Sequence, residues 1–539
     1  MEFIWGRFSA LFYSACTAIV AVVIVFALQL PLLWPIAILF LFLTIIGIRD
    51  YRQTTHPVIS NYPLIGHFRY FFESIRPEIR QYFFEADDDE LPFSRQQRAM
   101  VYQRAKQQVA VRPFGSVADM YEEDHEWLNH SIRPLQVGSS DFRVKVGVGE
   151  RAYSMSVLNI SGTSFGSMSP PAIRALNTGA RLAGCSHNTG EGGVSPHHVA
   201  GGGDIIWQVA SGYFGCRDKD GQFDPEKFRT KATADQVRMI EIKLSQGAKP
   251  GHGGMLMAAK VTPEIAEIRG IEVGKDCISP ASHSAFSTPR GLLEFAQKLR
   301  GLSGGKPVGI KLCIGHPWEF IAIVRAMVDT KICLDFITID GAEGGTGAAP
   351  AEFTDHVGSP LQDALVFVDN CLKGAGLRER VKIGASGKIV SAFDVVRTCA
   401  LGADWCNMAR PFMFSLGCIQ ARDCSSGRCP TGIATMDPKR YRVLDVEVKS
   451  QRIANFHNNT LHAVAEMLGS TGLSHTSQLT RRHIVRRISA SEIKLADQIF
   501  PKVSTNALLE GGEVEDPRLQ VYWSRVSADS FQATEAASG

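Results

Sequence analysis

Between Phe8 and Ile48 the chain has no Asp, Glu, Lys or Arg, a gap of 41 positions. A helix of a water-soluble domain needs a polar face, so a gap of this length argues against a buried core hairpin. It also fits a cleaved leader badly, because the apolar region of a leader spans only about 7–15 residues. Other shortages narrow the field further. Lys and Arg number 57 and Asp and Glu 54, so the net charge of +3 gives no field that would gather nucleic acid. Twelve Cys in 539 residues are too few for a disulfide-stapled scaffold, and point to a reducing compartment. The 50 Gly follow no fixed period, which excludes a collagen-like chain. No Gly-x-Gly-x-x-Gly opens a strand–helix unit, which argues against a Rossmann NAD site. Apolar residues at 45% and charged residues at 21% are globular proportions and not those of a disordered chain.

The uncharged stretch is about twice the roughly 20 residues that one bilayer span requires. Pro31 and Pro35 would break a single helix near its middle. The sequence therefore predicts two spans, residues 8–30 and 32–48, joined by a tight turn, with the second span short. Arg7 precedes the pair, Arg49 and Arg52 follow it, and the turn carries no Lys or Arg. Both ends then face the cytoplasm, and the expectation is a two-pass anchor in the inner (cytoplasmic) membrane. In residues 51–150, aromatic pairs such as Phe71-Phe72 and Phe83-Phe84 alternate with charge, and an acidic run, residues 87–90, precedes Arg95, Arg98 and Arg104. This segment is expected to be a helical linker region between membrane and core.

From Val157 the pattern is regular. Short apolar runs end in polar residues or glycine and are separated by amphipathic stretches of helix length. Eight runs stand out: residues 157–162, 185–188, 239–243, 277–279, 308–313, 336–340, 381–385 and 405–408. Helical patterns at residues 171–182, 289–299, 318–328 and 392–401 fall between them. Alternating strands and helices give parallel strands with right-handed crossovers, and eight such units close into a (β/α)8 barrel. Its site would lie at the carboxyl ends of the strands, at Ser164, Asn188, Lys243, Lys311, Asp340, Ser386 and Arg410. The expected organisation is a hairpin (1–50), the linker region (51–150), the barrel (151–445) and a helical C-terminal extension with a disordered tail (446–539).

Three glycine-rich loops follow predicted strands: residues 190–193 (closed later by 201–204), residues 341–347, and residues 384–388. Glycine lets backbone N–H groups approach an anion, and a following helix N-terminus adds favourable partial charge. Two such loops around one mouth, with Lys243 and Lys311 between them, point to a phosphorylated cofactor. The cysteines divide into nine scattered ones and three in the run Cys418-x5-Cys424-x4-Cys429-Pro430. That run lacks the Cys-x2-Cys pairs usual for structural zinc. Clustered thiolates closed by Cys-Pro suggest iron–sulfur ligation, as a three-iron cluster or a four-iron cluster with an outside ligand; zinc and a chance grouping remain alternatives.

Several long motifs together resemble the FMN-binding synthase domain of glutamate synthase, in particular the short membrane-anchored glutamate synthase-like proteins. They are residues 159–169 (Asn-Ile-Ser-Gly-Thr-Ser-Phe-Gly-Ser-Met-Ser), 188–193, 208–212, 241–251, 341–350 and 417–435. The resemblance covers about residues 155–445 and implies a barrel carrying FMN and a [3Fe-4S] cluster on Cys418, Cys424 and Cys429. It implies Lys311 beside the flavin N1/O2 edge and Ser386, Gly387 and Lys388 near the phosphate. Further cofactor contacts are implied at Gly162, Thr163, Ser164, Asn188, Gln208, Lys243, Asp340, Gly341, Gly344, Gly345 and Arg410. Lys249 and Arg269 would grip the carboxylates of a 2-oxo acid, with Lys249, Arg269 and Lys311 as the catalytic set. The implied activity is oxidoreduction at a C–N bond: reductive amination of a 2-oxo acid such as 2-oxoglutarate to an amino acid such as glutamate.

The sequence also departs from that family. The large enzyme begins with a glutaminase domain whose nucleophile is an N-terminal Cys, whereas this chain begins Met1-Glu2. Ammonia is thus expected free or from a partner, and electrons from a separate carrier such as a ferredoxin or a reductase subunit. The family usually has Glu and Gln where this chain has His252 and Met255, and Met255 cannot hydrogen-bond a substrate as Gln does. Ala385 replaces a usual Asp. An N-methylglutamate synthase-like transfer, another FMN-dependent oxidation of an amino acid, and a non-enzymatic membrane redox relay are the alternatives.

Overall fold

A computed structural model describes residues 6–29, 34–86, 92–108 and 113–534, which fall into two compact units, residues 1–91 and 92–539. In the first unit, Ser9–Leu28 (α1) and Trp34–Arg52 (α2) are helices long and apolar enough to cross a membrane. At a rise of 1.5 Å per residue, their 20 and 19 residues span about 30 and 28 Å. The second helix is longer than the sequence predicts. Pro35 occupies its first turn, where the missing N–H costs nothing, and the helix runs past Ile48 to Arg52. The two pack through small residues: Ala18, Ala21 and Ala37 are buried, and Thr44 Oγ1 lies 3.4 Å from Ser14 Oγ. A Cβ at Gly47 would fall 2.6 Å from Leu11 Cδ1, so the glycine lets the Leu11 side chain pack close to the second helix. The expected turn at Pro31 lies outside the described residues, as do the acidic run and the last five residues of the expected disordered tail. Helices Pro57–Asn61 and Gly66–Ile79 (α3) complete this unit, with a π-helical turn at Arg80–Phe84.

The second unit is built on a closed eight-stranded parallel barrel, as the sequence predicts. Its strands are Leu158–Ile160 (β1), His187–Asn188 (β2), Ile205–Val209 (β3), Val237–Lys243 (β4), Val308–Leu312 (β5), Phe336–Asp340 (β6), Lys382–Ser386 (β7) and Trp405–Met408 (β8). They pair in sequence order and β8 closes on β1 through Met408 and Ile160. One assignment needs correction. Cys277–Ile278 is not a barrel strand; it pairs antiparallel with Met255–Leu256 in a two-stranded ribbon. The strand missed by the sequence reading is β3, buried at every position and carrying Gln208. The predicted helical patterns appear as Pro170–Ala183, Pro289–Leu302, Pro317–Thr330 and Ala392–Ala400.

The amino-terminal end of the barrel is plugged. The hairpin Arg143–Val146/Tyr153–Ser156 drives Val146 and Met155 against Ile206, Met239, Phe336 and Trp405, each within the first three residues of its strand. Outside the barrel, Val446–Ser470 lies against Pro170–Ala183 so closely that a Cβ at Gly179 would overlap Ile453. Residues 51–150 and 446–539 hold strands as well as helices: Glu126–Leu128, Ile484–Arg487 and Ile493–Leu495 form one antiparallel sheet. Arg95–Ala105 (α4), opened by the Ser94–Gln97 capping box, docks on the barrel.

Candidate active site at the carboxyl ends of the strands

Successive side chains of a strand alternate in direction, so Glu241 and Lys243 of β4 share a face. Glu241 is 1% exposed and sits inside the barrel. Its carboxylate accepts from Asn188 Nδ2 and Gln208 Nε2, both at 2.7 Å, and from Thr338 Oγ1 at 2.8 Å. One buried carboxylate thus fixes side chains from β2, β3 and β6. Asn188 in turn accepts from Gly190 N through Oδ1 at 2.9 Å, and its carbonyl accepts from Thr163 N at 3.1 Å. A Cβ at Gly162 would lie 3.2 Å from Asn188 Oδ1, and Gly190, with φ +61°, leaves no room for one beside Ser164 N. Thr163 is held from behind: its hydroxyl meets His187 Nε2 at 2.5 Å and its carbonyl lies 3.0 Å from His198 Nε2. Burial keeps both imidazoles neutral, drawing His198 down to about 4.

A layer above, Lys311 of β5 stands 3.3 Å from Asp340 at the end of β6. Asp340 also accepts from Ser386 Oγ and from Gly247 N at 3.0 Å. Burial opposes charge on both partners, yet their mutual attraction outweighs it: the Asp340 carboxyl lies below its usual range and the Lys311 ammonium above. Around this pair run the glycine loops. Gly387 takes φ +151°. A Cβ at Gly345 would fall 2.7 Å from Arg410 Nε, and Arg410 Nη2 donates to Glu343 O at 2.8 Å. Burial lowers Arg410 to about 10, and Asp340 and Glu343 act against the shift. Lys388 is exposed beside this loop.

Near the Lys311–Asp340 pair lies a cage of three cations whose field acts on a carboxylate of the chain itself. Glu191 Oε2 accepts from Lys243 Nζ at 2.8 Å, and a Cβ at Gly254 would overlap its carboxylate. Burial pushes the Glu191 carboxyl up, but Lys243, Arg269 and Lys249 together hold it below its ordinary value. Arg269 is 3% exposed; it donates to Phe165 O at 3.1 Å and lies over the Phe214 ring, and its Nε has no partner among the described residues. The Lys249 ammonium is lowered by burial and by Lys243. His252 packs edge-on against Phe353, and Met255 is 45% exposed in the ribbon.

The three cysteines follow β8 on one loop. A Cβ at Gly347 would lie 3.8 Å from Cys424 Cβ, so this loop touches the glycine loop after β6. Among the described residues no three His, Cys, Asp or Glu side chains converge to metal-binding distance. Lys260, 6% exposed and with no carboxylate within 4.0 Å among the described residues, donates to Cys424 O and to Ala434 O at 2.6 and 3.2 Å. Burial raises the Cys418 thiol to about 12 and raises Cys424 too. Burial also opposes the Cys429 thiolate, but the Thr431 hydroxyl and the N–H groups of Ala434, Thr431 and Ile433 outweigh it, and Cys429 falls below its usual value.

The barrel thus brings the sequence-derived ring residues to one mouth, with Lys249 and Arg269 on one side and the cysteine loop on another. The sequence reading did not single out Glu191, Glu241, Lys260 or Glu343. For Glu241 the signal was its two-residue spacing from Lys243; for Glu191 it was the flanking glycines. Glu343, between Gly341 and Gly344-Gly345, carries the same mark as Glu191; Lys260 carries none.

The fold and mouth define an α/β-barrel protein with a buried, cation-rich site. Residues 122–474 match the family model described as the conserved region in glutamate synthase. The chain is 37% identical over 498 residues to the glutamate synthase large subunit-like protein YerD of Bacillus subtilis, covering 84% of this chain and 94% of that protein. It is 37% identical over 339 residues to the archaeal-type glutamate synthase [NADPH] of Thermotoga maritima, covering 62% of each. The archaeal glutamate synthase [NADPH] of Methanocaldococcus jannaschii is likewise 37% identical over 338 residues, 62% of this chain and 63% of that one, so the chain spans less than two thirds of these archaeal-type relatives. A crystal structure of mandelate oxidase is similar at 15% identity with a TM-score of 0.41, covering 74% of this chain and 98% of that one. The chain belongs to the glutamate synthase family.

Proposed function

We propose that this chain is the synthase unit of a glutamate synthase-type oxidoreductase, anchored by α1 and α2, that aminates a 2-oxo acid reductively. The observation that carries the reading is the Glu191 carboxylate, ion-paired with Lys243 and held charged also by Arg269 and Lys249, near the Lys311–Asp340 pair, in a family of glutamate synthases. FMN, when bound, supplies the hydride chemistry. The glycine loops at 341–347 and 384–388 offer backbone N–H groups for its phosphate, and Lys311, kept charged by Asp340, offers a fixed cation. Lys249 and Arg269 hold the substrate carboxylates, and burial makes each of these interactions stronger than in water. Cys418, Cys424 and Cys429 are the proposed iron–sulfur ligands, with Lys260 as the buried cation that offsets thiolate charge. The arginines at the hairpin ends support a cytoplasmic barrel on the inner membrane. A ferredoxin or reductase subunit supplies electrons, and ammonia arrives free or from a partner.

Met255 and His252 favour a second reading of the substrate, as in an N-methylglutamate synthase-like transfer, because the apolar Met255 and the ring-packed His252 offer little to a distal carboxylate. One experiment separates the two. Full-length protein, supplied with FMN and photoreduced without oxygen, is mixed with 2-oxo acids and either ammonium or methylamine. Reoxidation by 2-oxoglutarate with ammonium is expected. Reoxidation with methylamine alone selects the second reading, and no reoxidation by any pair sinks both.

A further inference from the structure

The helix α3 is amphipathic. Phe68, Phe71, Phe72, Ile75, Ile79, Tyr82 and Phe83 recur at i, i+3, i+4, i+7, i+11, i+14 and i+15, one stripe along α3 and the π-helical turn that extends it. The stripe faces outward: Phe68 is 61% exposed, Phe72 56%, Tyr82 59% and Phe83 80%. An aromatic surface of this length in water would be an aggregation liability. Arg69, Arg76 and Arg80 flank it, and Arg69 is paired with Glu73 at 3.1 Å.

The level at which α3 leaves the hairpin is fixed. The Asp50 carboxylate, 3% exposed, accepts from Leu64 N at 3.1 Å and is hydrogen-bonded to His67 Nε2 at 2.8 Å. Ser60 Oγ donates to Tyr51 O at 3.2 Å. Asp50 stands between Arg49 and Arg52, the first charges after the uncharged stretch. The start of α3 is therefore tied to the depth at which α2 passes from hydrocarbon to headgroups.

We propose that α3 and the following turn, residues 66–84, are an interfacial membrane element, with the aromatic stripe in the upper acyl layer of the bilayer and the arginines among the headgroups. The assignment rests on the membrane-anchor reading of α1 and α2 and extends it: the anchor is a hairpin plus a surface-lying arm. Burial of several aromatic side chains adds to the hold of the two spans, and the arm's arginines reach lipid phosphates.

The test uses the full-length chain in phosphatidylcholine vesicles, at a ratio that puts about one copy in each. An environment-sensitive fluorescent amino acid replaces Phe72, Phe83, Arg76 or Val23, one at a time. Lipids carry a nitroxide either near the headgroup or deep in the chain, and iodide serves as the aqueous quencher. At positions 72 and 83, the shallow nitroxide should quench and iodide should not; at position 76 iodide should quench. Position 23 reports the hairpin separately, through the deep nitroxide. If 23 is quenched by the deep label while 72 and 83 are open to iodide, the interfacial assignment falls and the anchor stands. If 72 and 83 are shielded from iodide yet untouched by either lipid label, the stripe is covered by protein and the assignment falls. If 23 shows no lipid quenching, the anchor reading fails, and the interfacial arm fails with it.

Discussion

Glu191 shows what one side chain reveals about a site. Its carboxylate pairs with Lys243 and is held charged also by Arg269 and Lys249, so removing its charge leaves Lys243 without its carboxylate partner. Glu191→Gln should cost about 3–5 kcal/mol, read as a drop in unfolding free energy in urea. Added 2-oxoglutarate should recover more stability in this variant than in the parent chain; equal recovery would mean that the cage is not a carboxylate site. The histidines make a separate prediction. His198 and His283, buried and lowered to about 4, are neutral in the folded chain, whereas the unfolded chain protonates them near 6.5. The unfolded state thus binds more protons, so stability is complete above about pH 6.5 and declines as pH falls towards about 4. Melting temperature measured across that window should fall, and His198→Gln should flatten the fall. The loss from protonating Glu191 and Asp340 belongs to lower pH, below the ordinary carboxyl range, since both are depressed.

At the scale of elements, α4 buttresses two loops at once. Phe93, just ahead of it, is 1% exposed, packs edge-on against Phe414, and lies under the Arg410 guanidinium at 4.5 Å. Gln420 Nε2 donates to Phe93 O at 3.1 Å, and Tyr102 OH donates to Cys418 O at 2.6 Å. Phe93→Ala should cost about 3–5 kcal/mol. It should also speed labelling of Cys418 by a thiol reagent in metal-free protein; an unchanged labelling rate would mean that α4 does not brace the loop. The Ser94-x-x-Gln97 box marks the start of this element in the sequence; its partners are not marked, because Phe93 and Tyr102 serve a loop far along the chain. The barrel itself was legible, since strand and helix periods alternate clearly from Val157 onward. The exchange of β3 for Cys277–Ile278 has a plain cause. A short apolar run reads the same whether it lies in a buried parallel strand or in a ribbon over the mouth, and Trp207-Gln208 interrupts the aliphatic run of β3. The ring residues were legible as strand ends. Glu191 was legible only as a carboxylate between glycines; its cationic partners lie far along the chain and meet it only when the barrel closes.

For the whole molecule, α1 and α2 predict how the chain fractionates. Full-length protein should stay in the membrane pellet through alkaline carbonate, and a chain beginning at Pro92, the start of the second unit, should appear in the supernatant. Release of the intact chain by carbonate would remove the anchor.

The plug under the barrel has a kinetic consequence. Val146, Met155 and Trp405 fill the amino-terminal end, so under the proposed function reductant and 2-oxo acid both reach the site from the carboxyl end, where the cysteine loop adjoins the glycine loop at Gly347. Traffic through one doorway favours turns: one reactant leaves before the other acts. Steady-state plots against the oxo acid at several donor concentrations should be parallel lines, and a large excess of either reactant should slow the other. Lines that converge would mean that both can be bound at once.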